Sequence, residues 1–123
     1  MTTENRIESY RDLVVWQKSI ELVIAVYKIT AQYPSTELYG ITSQSRRAVV
    51  SIPSNIAEGK RRGSRKDFRH FLIIAFGSGA ELETQIEIVK RLPFGKNLSF
   101  KEIDVLLDEV MRMLNRLIET LKD

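Results

Sequence analysis

The sequence contains no cysteine, which excludes disulfide bonds and thiolate chemistry. It also lacks any apolar run of the roughly 18 residues that a membrane-spanning helix requires. At the amino terminus no apolar run follows a basic patch, so we expect no secretory signal. Together these absences predict a cytoplasmic protein without a membrane partner.

Histidine occurs once, and its surroundings do not predict a metal centre. His70 and Asp67 form one D-x-x-H pair, whereas a di-iron bundle site needs repeated Glu-x-x-His sets. Glu83 and Glu87 are spaced to pair with basic residues at the end of the same helix. No serine has histidine and carboxylate partners at a spacing that suggests a triad. We therefore expect no metal, no cofactor and no enzymatic activity.

What the sequence does contain is apolar residues at helical spacing. Hydrophobic residues make up 43% of the 123 and charged residues 28%, as in a helix-rich globular domain. The pattern predicts helices over about 10–33, 37–61, 65–92 and 100–121. Because the loops between them are short, we expect an all-α, antiparallel up-down-up-down four-helix bundle that forms a single domain over residues 1–123.

The first helix carries one apolar seam, and four sites along the chain resemble helix starts. The seam consists of Leu13, Trp16, Ile20, Val23 and Tyr27. The predicted capping groups are Ser9 with Asp12, Ser35 or Thr36, Ser64 with Asp67, and Ser99 with Glu102.

The second helix contains a proline inside its apolar pattern. Pro53 removes the hydrogen bond that would run to the Val49 carbonyl, so we expect a kink there, because the apolar spacing continues beyond it. Gly59 and Gly63 both offer a left-handed C-cap conformation, so the helix should end between Glu58 and Arg62. Asn55 and Glu58 either line a polar groove or bridge helices or subunits through hydrogen bonds, and the bridging interpretation is favoured.

The third helix is apolar almost all round in its middle, so it must bury more than one face. Inside a small bundle this predicts contact with another subunit, and small residues allow close approach of a neighbouring helix. The predicted oligomer interface is Phe71, Ile74, Phe76, Gly77 and Gly79.

Positive charge is concentrated in the middle of the chain. Residues 36–70 carry eight basic and three acidic side chains, although the whole chain has a net charge of only +3. The predicted nucleic-acid-binding residues are Arg46, Arg47, Lys60, Arg61, Arg62, Arg65, Lys66 and Arg69. With no aromatic residue interleaved, we expect recognition of the backbone or shape of RNA or duplex DNA rather than base stacking. The alternative is a solvated turn whose charges only maintain solubility.

Three runs of the chain resemble a known family. They are YRDLVVWQKSIELV at 10–23, YGITSQSRRAVVSIPSNIAEG at 39–59 and SRKDFRHFLIIAFGSGAELETQ at 64–85. They closely resemble the bacterial four-helix-bundle intervening-sequence proteins, which some bacteria encode within insertions in large-subunit ribosomal RNA genes. The resemblance covers roughly residues 10–92. It implies a homopentameric ring of bundles with basic surfaces, and kinship to the accessory protein of diversity-generating retroelements, which binds nucleic acid and a reverse transcriptase.

The leading hypothesis is therefore a non-enzymatic, oligomeric adaptor that binds RNA or DNA through the turn between the second and third helices. The alternative is a homo-oligomeric scaffold that binds another protein and no nucleic acid.

Overall fold

The computed structural model describes residues 9–123, and its regular structure there is entirely helical. Four α-helices form the bundle: α1 (Val14–Thr30), α2 (Ser43–Arg62), α3 (Arg65–Arg91) and α4 (Lys101–Thr120). Each helix packs against two others, in the order α1, α2, α3, α4 and back to α1. The all-α four-helix bundle is thus confirmed. Within residues 9–123, no helix combines the length and the apolar character needed to cross a membrane.

The predicted seam of α1 is wrong in part. Of its members, Leu13 is buried, Trp16, Ile20 and Val23 are half-buried, and Tyr27 is exposed. Leu22 and Val26, which lie outside the predicted seam, are fully buried. A second stripe, Val15, Ser19, Leu22, Val26 and Ile29, faces the core. This stripe also has helical spacing, and Ser19 is accommodated because its hydroxyl donates to the Trp16 carbonyl at 2.7 Å.

The chain enters α2 through two irregular turns rather than through the start of a long helix. A 3₁₀ turn covers Ser35–Glu37 and a π turn covers Leu38–Thr42, with Gly40 outside helical backbone angles at φ −112° and ψ −116°. The expected helix start at residue 37 is therefore displaced to Ser43. Gly40 is the residue of the sequence that indicates this irregular turn, since glycine adopts such backbone angles most readily.

Pro53 lies within α2 and does not end it, as predicted. The ring is buried in the core, which accounts for a proline at this position. Beside the proline, the Ser54 hydroxyl donates to the Val50 carbonyl at 2.8 Å. A bend of the helix axis at Pro53 stays a prediction.

Some of the predicted helix caps are present in the structure and others are not. Ser9 and Asp12 form a reciprocal capping box, but this box caps the start of a 3₁₀ turn at Tyr10–Asp12 that precedes α1. Ser64 caps α3 by accepting the Asp67 backbone N–H at 3.0 Å. The caps expected at Ser35 or Thr36 and at Ser99 are wrong, because the N-cap of α2 is Thr42, that of α4 is Phe100, and neither makes a side-chain cap bond.

Helices α2 and α3 approach closely at Gly59. A Cβ atom added there would lie 2.7 Å from the Phe71 Cβ and 3.3 Å from the Phe68 carbonyl oxygen. Farther along the pair, the hydroxyls of Ser51 and Ser78 are hydrogen-bonded at 2.8 Å. Gly59 is therefore required by packing between helices, and the left-handed cap is formed by Gly63 instead.

We expect Gly59→Ala to destabilise the fold by about 1–3 kcal/mol, because the overpacking outweighs the gain in helix propensity. Gly77→Ala is the matched control in the other helix of the pair, since no atom of residues 9–123 lies within 4 Å of a Cβ added there. It should stabilise the fold by about 0.5–1 kcal/mol. Urea unfolding measures both, and a Gly59→Ala variant as stable as Gly77→Ala would contradict the packing argument.

Candidate nucleic-acid interface

The basic residues between α2 and α3 lie on a very short turn. Helix α2 ends at Arg62, Gly63 adopts the left-handed conformation at φ 86°, and Ser64 caps α3. Cations therefore project from the last turn of one helix and the first turns of the next. We name this group the basic turn: Lys60, Arg61, Arg62, Arg65, Lys66 and Arg69.

Three cations of the basic turn pack over aromatic rings. The Lys60 ammonium lies 5.6 Å from the centre of the Phe68 ring. The Arg61 guanidinium lies 5.5 Å from the Tyr10 ring centre, and Arg62 lies 5.0 Å from that of Phe71.

The expectation that no aromatic residue is interleaved with the cluster is therefore wrong. Sequence reasoning missed Tyr10 because it lies fifty residues away in the chain. Phe68, in contrast, lies within the basic run between Lys66 and Arg69, and Phe71 follows it closely. Because cations already cover these rings, the arrangement stabilises the positions of the cations and leaves little open ring surface for a base.

Carboxylates neutralise only a small part of this charge. Glu58 pairs with Arg62 at 2.9 Å, and both side chains are about half exposed. Among residues 9–123, this is the one ion pair that involves the basic turn. The predicted role of Glu58 as a bridge between helices is not what the structure shows, since its partner lies on the same helix.

Two arginines of the basic turn have a structural task at the carboxyl end of α4. Arg65 donates to the Thr120 carbonyl oxygen at 2.8 Å, and the Arg69 Nε donates to the Ile118 carbonyl oxygen at 3.0 Å. These carbonyls lie in the last turn of α4, where no further helical N–H groups are available to satisfy them and where cations interact favourably with the helix dipole. Arg65 and Arg69 thus tie α3 to α4 while keeping positive charge near the turn.

Arg46 and Arg47 belong to a different part of the surface. Arg46 precedes Lys60 by fourteen residues in α2, which corresponds to about 21 Å along a helix. The Arg46 Nε donates to the Thr30 hydroxyl at 2.9 Å, and its guanidinium lies 4.5 Å from the Tyr27 ring centre. The eight predicted cations therefore form two separate groups rather than one cluster.

The polar residues predicted as structural are placed between α2 and α3. The Asn55 amide donates to the Ser51 carbonyl at 2.8 Å and to the Ser51 hydroxyl at 2.9 Å. That hydroxyl is the one bonded to Ser78 of α3. Asn55 thus orients the serine that links the two helices.

The residues predicted to form an oligomer interface differ in how far they are exposed. Ile74 and Gly77 are exposed, Phe71 is half-buried at the basic turn, and Phe76 packs against the core. Gly79 is buried, and a Cβ there would overlap the Met111 side chain of the same chain.

His70 is exposed and lies edge-on to Phe71, with ring centres 5.3 Å apart. In the part of the chain that the structure describes, no three histidine or acidic side chains are grouped so as to hold a metal ion.

Comparison with known proteins agrees with this architecture. A sequence profile of a family described as 23S rRNA-intervening sequence protein matches residues 11–116. A search of curated proteins finds no match. Among solved structures, the chain is similar to a protein with unknown function from the S23 ribosomal protein family of Bacteroides thetaiotaomicron. The TM-score is 0.71 and the identity 23%, over 89% of this chain and 100% of that one, a likeness that concerns the fold.

We expect Arg69→Met to destabilise the bundle by about 1–3 kcal/mol, because the Ile118 carbonyl loses a charged hydrogen-bond donor. Amide exchange in the last turn of α4 should become faster. Lys66→Met is the matched control, since Lys66 is exposed and makes no hydrogen bond or ion pair within residues 9–123. Equal effects of the two substitutions on α4 exchange would show that Arg69 does not hold this helix end.

Proposed function

We propose that the chain, which belongs to the 23S rRNA-intervening sequence protein family, binds the phosphate backbone of RNA or duplex DNA through the basic turn. The proposed role is that of a non-enzymatic adaptor in the cytoplasm. Neither the family nor the structurally similar protein is described with a catalytic activity.

The observation that carries the proposal is the uncompensated charge of the basic turn. Six cations lie within ten residues, and one of them is paired with a carboxylate among the described residues. Cations concentrated on a short, exposed turn create a local positive potential and attract polyanions by releasing their counterions. A surface that served solubility alone would not require such a concentration.

The geometry favours contacts with phosphates over readout of bases. Lys60 and Arg61 are positioned over rings, so less side-chain entropy is lost when they bind an oxygen anion. Arg65 and Arg69 use part of their donor capacity on α4 carbonyls and contribute charge to the site. Backbone contacts of this kind position a nucleic acid without reading its sequence.

The proposal is tested by removing the three cations of the basic turn that, within residues 9–123, contact neither a carboxylate nor an α4 carbonyl. The variant combines Lys60→Ser, Arg61→Ser and Lys66→Ser and leaves the α4 cap intact. Fluorescence anisotropy with a labelled RNA duplex and a labelled DNA duplex is measured across a salt series. With about four phosphate contacts the log–log slope should be near −3.6, and losing three contacts should make it shallower by about 2.7.

A matched variant controls for net charge. It combines Lys28→Ser, Lys96→Ser and Lys101→Ser, which remove three exposed charges outside the basic turn. This variant should retain most of the affinity and the slope. If both triple variants lose affinity equally, or if the unmodified chain binds neither duplex at low salt, the proposed function is wrong.

A second candidate function, a homo-oligomeric protein-interaction scaffold, is favoured by the exposed face of α3. Ile73, Ile74 and Ile88 are 39–45% exposed, and Gly77 has open space above it. Apolar groups concentrated on one helix are typical of a surface that contacts another protein. We propose that this face makes contacts between copies of the chain, in a ring for which five members is the expected number.

We expect light scattering at micromolar concentration to return a multiple of the 14.2 kDa chain mass, with five as the predicted multiple. Ile74→Asp should reduce the mass because it places a charge in the contact. Val105→Asp, an exposed apolar position on α4, is the control and should leave the mass unchanged. A monomer mass for the unmodified chain would contradict self-assembly without bearing on nucleic-acid binding.

A further inference from the structure

A groove of about 530 Å³ lies between α1 and α2, next to the π turn. Its apolar lining comes from three elements: Tyr27 of α1, Leu38 of the π turn and Val50 of α2, each 39–45% exposed. Arg46 and Arg47 also line it. We call it the Arg46 groove.

The groove exists because the chain does not enter α2 directly from α1. The π turn at Leu38–Thr42 places Leu38 at the mouth of the groove and leaves the neighbouring Tyr39 93% exposed. Tyr27 lies on the face of α1 that the core does not use. Three large apolar side chains that contribute nothing to the buried core therefore surround one concave surface.

The charged group of the groove is held in place before any ligand arrives. The Arg46 Nε donates to Thr30, and the guanidinium stacks on Tyr27. Its Nη groups have no hydrogen-bond acceptor among residues 9–123. A planar guanidinium fixed on one edge and open on the other matches the two oxygens of a carboxylate.

No acidic residue of the described chain lines the groove, so Arg46 and Arg47 leave it positively charged. Elsewhere within residues 9–123, six of the fourteen acidic side chains are paired with a cation. Glu58, Glu87, Asp104, Asp108, Glu109 and Glu119 all have a cationic partner.

From this combination we propose that the Arg46 groove binds a short segment of a different protein, one that carries an aspartate or glutamate beside a large apolar side chain. The carboxylate accepts hydrogen bonds from Arg46, with Arg47 adding charge at the rim. The apolar side chain packs among Tyr27, Leu38 and Val50. This site is separate from the basic turn and does not depend on nucleic-acid binding.

A nucleic acid fits the groove less well. Arg46 already covers the Tyr27 ring, and Leu38 and Val50 are aliphatic, so no open aromatic face is offered to a base. A second copy of the chain also fits less well. On the exposed α3 face, Glu87 is paired with Arg91 at 3.0 Å, and Glu81 accepts a hydrogen bond from Gln85 at 3.2 Å. Glu83 of α3 is exposed and has no cationic partner within residues 9–123. A second copy as a whole nevertheless carries a net charge of +3, so the positively charged groove is better matched by an acidic segment of a different protein.

The test uses a phage-displayed library of random short peptides, selected against the full chain. Enriched peptides should place Asp or Glu within two positions of Leu, Ile, Phe or Trp. A fluorescein-labelled synthetic copy of the enriched peptide should bind with saturation. Its affinity should fall at least about tenfold for Arg46→Met and for Val50→Asp. The first change removes the guanidinium that donates hydrogen bonds to the peptide carboxylate, and the second adds a negative charge that repels that carboxylate. Changing the acidic residue of the peptide to its amide should have a similar effect.

Arg61→Ser is the control variant, because it removes one arginine from the basic turn and should leave peptide affinity unchanged. Circular dichroism tests whether each variant is folded. If Arg46→Met is unfolded, Arg47→Gln provides a second groove variant. No enrichment, enriched peptides without acidic residues, or equal affinity for Arg46→Met and the unmodified chain would overturn the proposal. A lower oligomer mass for Val50→Asp would also overturn it, because this result indicates that a second copy of the chain occupies the groove. Weaker RNA binding by Arg46→Met at unchanged peptide affinity would overturn it as well, because it indicates that a nucleic acid does.

Discussion

The close approach of α2 and α3 is the constraint on which the rest of the structure depends. Gly59 removes the side chain that would hold the helices apart at Phe71, and the Ser51–Ser78 hydrogen bond joins them farther along. With the helices so near, a connection of Gly63 and Ser64 is enough to reverse the chain. That short connection brings the last turn of α2 next to the first turn of α3, and so concentrates charges that a longer loop would disperse.

Residues of the same type have different tasks in this structure, and the difference lies in what each side chain contacts. Arg69 satisfies a carbonyl at the end of α4, Arg62 pairs with Glu58, and Arg61 extends over Tyr10. Arg46 is fixed between Thr30 and Tyr27 at the other end of α2. Counting cations in the sequence treats these groups as equal. Their contacts separate a basic turn suited to phosphates from a groove suited to a carboxylate beside an apolar side chain.

The success of sequence reasoning varied with how many apolar stripes a helix carries. In α3 the heptad positions from Leu72 to Val89 face the core, as the spacing predicts. In α1 apolar residues lie on several sides, so two stripes of helical period compete. The core uses the stripe with Ser19, whose small side chain fits between helices, and leaves Tyr27 outside. No pattern within α1 reveals that choice, because it depends on the shapes of the helices packed against it.

The sequence by itself determined the number of helices, the class of fold, the left-handed turn at Gly63 and the concentration of charge around it. These properties depend on residues close together in the chain, through backbone conformation and helical period. Only the tertiary structure decided which face of α1 is buried, that Arg65 and Arg69 bind the end of α4, and that Arg46 meets Tyr27 beside Leu38. Long side chains can reach many partners, and the one that each reaches is decided by how distant segments pack.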